Sequence, residues 1–103
     1  KGYRILAHDL RSPVGEIDIV AQRGRTLAII EVKARDTVDS AVEAVTLRQR
    51  ARIVRAAERF LAGRPQFAGY AVRFDVIMVT PGRWPRHLSD AWRPDGDTAA
   101  AKC

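Results

Sequence analysis

Residues 26–34, Thr-Leu-Ala-Ile-Ile-Glu-Val-Lys-Ala, constrain the fold of this chain more than any other stretch. The apolar part is nearly continuous and rich in β-branched side chains, the pattern of a strand covered on both faces. Such a strand is expected near the centre of a sheet. Its far end departs from the pattern, because Glu31 and Lys33 put charge where apolar residues would otherwise alternate.

The segment before it, Gly15 to Ala21, alternates with period two, Ile17, Ile19 and Ala21 on one face and Glu16, Asp18 and Val20 on the other. Gln22-Arg23-Gly24-Arg25 is the turn between the two strands. With Arg23 and Gly24 as its central residues, Asp18 lies opposite Ile29 and Glu16 opposite Glu31. Parity then puts Glu16, Asp18, Glu31 and Lys33 on one face. A turn one residue longer would flip the register and separate Asp18 from Glu31.

The rest of the chain reads as elements around this hairpin. Residues 3–10 form a first strand, broken by Ser12-Pro13, and residues 35–45 a loop with a short helical turn. Thr46 caps a helix that runs to Ala62 and is ended by Gly63-Arg64-Pro65. On that helix Ile53, Ala56, Ala57, Phe60 and Leu61 make an apolar stripe, and Arg48, Arg52, Arg55 and Arg59 recur on the opposite side. Residues 72–80 form the last strand, closed by Pro81-Gly82. The order strand, strand, strand, helix, strand lets the helix cross over between two strands of one mixed α/β sheet. We expect one domain over residues 1–92 and a loosely ordered tail over 93–103, where periodicity is lost.

Charge narrows the partners. The chain has 18 Lys and Arg against 12 Asp and Glu, a net charge of +6 that draws in polyanions, and nucleic acid is the expected partner. The arginine face of the helix is suited to tracking a phosphate backbone, against the plainer reading of a solvated face. Cys103 has no partner for a disulfide, which fits a reducing cytoplasm. No apolar run approaches the roughly 18 residues of a membrane span. The chain starts at Lys1 without an initiator Met, as expected of a piece of a longer protein.

Three carboxylates on a largely apolar sheet repel one another, and a divalent cation would relieve them. Carboxylate and carbonyl oxygens suit Mg²⁺ or Mn²⁺, and no Cys-His cluster is available for structural zinc. Asp18 and Glu31 would be metal ligands, Val32 would lend its carbonyl, and Lys33 would be the catalytic cation that orients water or stabilises charge on a phosphodiester. The competing reading is a cross-strand salt bridge in a solvated groove. His8 and His87 have no metal-ligand spacing and are read as non-catalytic. Arg73 and Asp75 share a strand face and are expected to pair. Trp84 and Trp92 are expected to pin the chain to the core, in preference to stacking on bases.

Gly2-Tyr3-Arg4-Ile5-Leu6-Ala7, Arg11-Ser12-Pro13-Val14-Gly15-Glu16-Ile17-Asp18, Ile30-Glu31-Val32-Lys33 and Arg73-Phe74-Asp75-Val76 together resemble the YraN family of small bacterial proteins. The likeness runs from Gly2 to Trp92. It implies a restriction-endonuclease-like core and a metal-dependent nuclease related to Holliday-junction resolvases, with Asp18, Glu31 and Lys33 on the motif positions. DNA, branched or single-stranded, is the implied substrate, and a homodimer the implied assembly. The resemblance also implies a helix before Lys1, missing from this chain, and a Lys where Gln49 stands. Glu16 and Gln49 are candidates to support the ligands from behind, although Gln49 is expected chiefly to bond to backbone in the first helical turn. A nucleic-acid-binding module that keeps the fold without turnover is the alternative function, and a scaffold for a protein partner a third.

Overall fold

The computed structural model describes residues 2–94, so Lys1 and the tail from residue 95 to Cys103 lie outside the described residues. Five strands, β1 (Arg4–Ser12), β2 (Gly15–Arg23), β3 (Thr26–Ala34), β4 (Ala71–Val79) and β5 (Arg86–Trp92), make one sheet in sequence order. Neighbours are antiparallel except β3 and β4, which are parallel. A parallel step needs a long crossover. Helices α1 (Val38–Glu43) and α2 (Leu47–Ala62) supply it, followed by a 3₁₀ turn at Pro65–Phe67. The mixed α/β sheet expected from the sequence is therefore present, with β3 at its centre.

Helix α2 starts where Thr46 takes an extended backbone and its hydroxyl accepts the Gln49 N–H at 3.1 Å. That satisfies one of the free amides of the first turn. Arg50 donates from Nε to the Val45 carbonyl at 2.9 Å, which ties α2 to the turn after α1. Ile53, Ala56, Ala57 and Phe60 of the apolar stripe are buried against Leu27, Ile29, Phe74 and Val76. Each large side chain so buried contributes about 1.5–3 kcal/mol.

Both helices fall on this face, and the other face of the sheet differs. It carries a small cluster of Ala21, Ala28 and Ile30 flanked by Tyr3, Ile19 and Ile77, with Val32 and Ile5 exposed. Strand β3 is thus fully covered on one face and only partly on the other among the described residues, less than its apolar run suggests.

Strand β5 falls where the sequence shows no alternation. Its pairing with β4 moves from Phe74↔Trp92 to Val76↔Leu88, and Asp90 in the loop-out has φ +54°. A bulge of this size destroys the period-two signal. Trp92 is buried and stacked on Phe74 with ring centroids 4.4 Å apart, as expected of a residue that pins the chain. Trp84 does not do so, being 94% exposed in the β4–β5 loop, so that expectation is corrected. No helix among the described residues is long and apolar enough to cross a membrane.

Candidate functional site

The turn between β2 and β3 is centred on Gly24 and Arg25, with Arg23 paired to Thr26. Gly24 has φ +57°, the left-handed value that a tight hairpin of this kind asks of its first central residue. The turn sits one residue later than the sequence pattern suggests. Partners therefore move by two positions and faces are conserved, so Asp18 lies across from Glu31 instead of Ile29.

At this level the ladder stops being a ladder. Regular pairing ends at Ile19↔Ile30, and beyond it side chains take over the backbone amides. Asp18 N–H donates to Glu31 Oε2 at 3.3 Å, and Val32 N–H donates to Asp18 Oδ2 at 2.9 Å. Strand β2 also changes face here: Ile17 joins the main core, whereas Ile19 joins the small cluster on the far side. The single face expected for Ile17, Ile19 and Ala21 is corrected accordingly. Just upstream, Gly15 lies so close to α2 that a Cβ on it would stand 2.5 Å from the Arg52 carbonyl oxygen. Only glycine lets the strand and the helix approach this far.

The approach brings α2 over the hairpin. Gln49, whose own N–H is used by Thr46, extends its side chain across the acids: Nε2 donates to Glu31 Oε1 at 3.4 Å and Oε1 accepts from Lys33 Nζ at 3.3 Å. Its side chain thus bridges the cleft residues, contrary to the backbone role expected from its position in the first turn. Glu16, Asp18, Glu31, Lys33, Gln49, Arg52 and Ile53 line one cleft of about 240 Å³. Glu16 stands at its rim, largely exposed and 3.9 Å from Arg11.

Glu31 is 4% exposed, and its carboxyl is pushed up to about 7. Burial is the main cause and the neighbouring Asp18 charge the second; the Asp18 N–H and Lys33 act in the other direction. An acid held near neutrality in a polar cleft marks a site candidate. Among the described residues no three Asp, Glu, His or Cys side chains gather as a metal cage.

The four arginines of the stripe do not act as one face. Arg52 borders the acid cleft, Arg59 lines a separate cavity beside β1, and Arg55 lines a third depression with Leu47 and Arg50. Arg48 is exposed.

A second polar cluster lies on the opposite face of the sheet. Asp75 is fully buried, and Arg73 donates to both its oxygens, at 2.9 and 2.8 Å. His87 Nε2 is 2.7 Å from Oδ2, Asp90 N–H donates to Oδ1 at 2.9 Å, and Arg73 also donates to the Tyr3 hydroxyl. The Arg73–Asp75 pairing was legible from alternation. The contributions of Tyr3, His87 and Asp90 were not, since they depend on β1 and the β5 bulge.

The family described as "Uncharacterised protein family UPF0102" matches residues 1–79. Relatives of that description include a protein of Parvibaculum lavamentivorans, 55% identical over 94 residues that cover 91% of this chain and 71% of its own. One of Paramagnetospirillum magneticum is 54% identical over 99 residues, covering 92% of this chain and 77% of its own. One of Methylorubrum extorquens is 50% identical over 96 residues, covering 93% and 75%. The matched span includes the whole acid cleft.

Proposed function

The chain belongs to the uncharacterised protein family UPF0102, also called the YraN family, and from that premise we propose that the acid cleft is the active site of a metal-dependent nuclease acting on DNA, carried on a restriction-endonuclease-like fold. One observation carries the reading: at a break in the sheet, the Glu31 carboxylate accepts the Asp18 N–H and the Asp18 carboxylate accepts the Val32 N–H, beside a lysine, with Glu31 buried and held near neutrality.

The donors fit a hard divalent cation. Asp18 and Glu31 offer carboxylates, and Val32 offers its carbonyl, because a strand residue whose N–H points to one neighbour points its C=O the same way. Mg²⁺ binds through one or two carboxylates and keeps several waters, so a third protein acid is not required. The repulsion between Asp18 and buried Glu31 is what such a cation relieves. When bound, Mg²⁺ or Mn²⁺ supplies polarisation of a phosphoryl oxygen and a nucleophile at neutral pH.

The side chains divide the remaining work. Asp18 and Glu31 act ionised, as holders of the cation. Lys33, fixed by Gln49, presents its ammonium to the phosphate and stabilises charge that develops there. Gln49 orients Glu31 and Lys33 together, since it bonds to both. Arg52 at the rim meets the incoming backbone, and the net charge of +6 favours its approach.

The test is incubation of labelled duplex, single-stranded and four-way-junction DNA with the protein and Mg²⁺ or Mn²⁺. Cleavage that falls by about 10²-fold or more in Asp18→Ala and in Lys33→Ala is expected. DNA binding without cleavage, unchanged by either substitution, overturns the reading and leaves a binding module.

A further inference from the structure

Between the tip of the β1–β2 hairpin and the second half of α2 lies a cavity of about 150 Å³, lined by Arg11, Ser12, Arg59, Phe60 and Arg64 together with apolar residues. No acid lines it. We propose that this cavity is a phosphate-binding site that holds a backbone phosphate of the same DNA strand whose scissile phosphate occupies the acid cleft. The proposal deepens the nuclease reading and rests on it for the identity of the ligand.

The chemistry of the walls points to an anion. Arg64 is held in place, donating from Nη1 to the Phe60 carbonyl at 3.1 Å with its guanidinium 3.9 Å from the Phe60 ring centre. A fixed guanidinium keeps the rest of its donor fork ready for a planar or tetrahedral oxyanion. Neither Arg59 nor Arg64 has a carboxylate partner among the described residues. Arg11 is 3.9 Å from Glu16, both side chains being mostly in water, a pairing weak enough for a phosphate to displace. Ser12 already donates its hydroxyl to the Gly15 carbonyl at 2.9 Å, so the arginines are the recognising groups.

Size and spacing point to a phosphate of a longer strand. The cavity, of about 150 Å³, has room for a phosphate. Helix α2 joins it to the cleft. Arg52 lines the cleft and Arg59 the cavity, seven residues on, which at about 1.5 Å per residue is roughly 10 Å. A B-form strand rises about 3.4 Å per nucleotide along its axis and winds as it rises, so a separation of roughly 10 Å suits phosphates of one strand fewer than three nucleotides apart. The cleft needs a cation to accept a phosphate, whereas the cavity supplies its own positive charge.

The experiment measures binding of a labelled single-stranded oligothymidylate in EDTA, so that catalysis plays no part, across 50–200 mM salt. Arg59→Gln with Arg64→Gln is compared with Arg83→Gln with Arg86→Gln, which removes the same charge from exposed positions elsewhere. The cavity pair is expected to weaken binding at least tenfold and to flatten the salt slope by about 0.7 for each phosphate no longer neutralised, with the control pair changing both much less. Equal losses from the two pairs overturn the proposal, since charge alone then explains binding. Should the double variant fail to fold, Arg59→Gln alone serves, because that side chain is exposed. Titration with inorganic phosphate is the second arm. Amide shifts that saturate at Ser12 and Arg59 support the site, and shifts scattered over all arginines overturn it. Cleavage with normal binding by the cavity variants sinks this proposal and spares the nuclease reading; weakened binding by the cavity variants with no cleavage by the parent chain does the opposite.

Discussion

Two buried carboxylates on adjacent central strands, Glu31 of β3 and Asp75 of β4, meet opposite fates. Both are almost wholly out of water, and both sit where the sheet ladder is interrupted, each accepting a backbone N–H from the displaced strand. Burial tends to raise the pKa of each. For Asp75 the Arg73 fork, the Asp90 N–H and His87 outweigh it, and the carboxyl is held below the usual range. Glu31 has the Asp18 N–H and a Gln49 amide, but it also has Asp18 and Glu16 as neighbours, and its carboxyl rises to about 7. The same interruption of a strand thus makes a closed structural joint on one face and a cleft with two adjacent acids on the other. The difference lies in whether a positive charge bonds to the carboxylate directly: Arg73 does so at Asp75, whereas Lys33 reaches Glu31 through Gln49.

The largest expected effect tests the closed joint. Asp75→Ala leaves Arg73 and His87 facing an empty, dry position, and breaking a buried pair of this kind costs about 3–5 kcal/mol. Arg73 keeps a quarter of its side chain in water, which favours the lower end. Urea unfolding at pH 7 measures the loss. A change below about 1 kcal/mol would erase the distinction between the two acids.

How much of this was legible in the sequence depends on the range of the signal. The hairpin, the capped helix and the shared face of Asp18, Glu31 and Lys33 follow from period and parity, which are local. The turn position was off by one because either Arg23 or Gly24 can open a two-residue loop, and only the backbone at Gly24 decides. Helix α2 was correct in extent, yet the role of Gln49 depends on how far the helix leans over the hairpin. That distance is set by Gly15 against Arg52, a close approach between segments far apart in the chain. Strand β5 was missed because its bulge, which also provides the Asp90 amide to Asp75, removes the alternation by which strands are recognised.

The next effect in size is a gain. Glu31 binds its proton more tightly in the folded chain than its ordinary value of 4.5 allows, so its contribution to stability is fully present below pH 4.5 and is lost as pH rises to about 7. Replacing it by Gln removes the titration. Glu31→Gln is expected to be more stable than the parent at pH 8, by at most about 3 kcal/mol, with the two converging near pH 4. Asp75 behaves in the reverse sense: its stabilisation is present above 3.8 and lost as pH falls through its depressed folded value. Thermal melts of the two proteins from pH 4 to 8 separate the cases. A Glu31→Gln variant that is less stable at pH 8 would mean that Glu31 is as well satisfied as Asp75. Saturating Mg²⁺ is expected to stabilise the parent at pH 8 more than the variant, since the cation takes over the relief that Gln provides.

The smallest of these effects asks what holds each acid in place. Asp75 is positioned by side-chain bonds, whereas the Glu31 cleft is positioned by backbone against backbone, at Gly15 and Arg52. In Gly15→Ala the new methyl group would stand 2.5 Å from the Arg52 carbonyl oxygen and 3.1 Å from its carbon. Neither atom is the end of a flexible side chain, so β2 or α2 must shift, at a cost of about 1–3 kcal/mol by analogy with overpacked cores. A shift of α2 moves Gln49 and Arg52 relative to Lys33 and Glu31, and bonds of 3.3 and 3.4 Å are already near the limit of hydrogen bonding. The side-chain amide of Gln49 is therefore expected to change its NMR shift and its exchange rate, while signals of Arg73 and His87, bonded within the other face, stay where they are. Equal disturbance of both clusters would show that the sheet moves as one body, and the contrast between a side-chain joint and a backbone-set cleft would then fail.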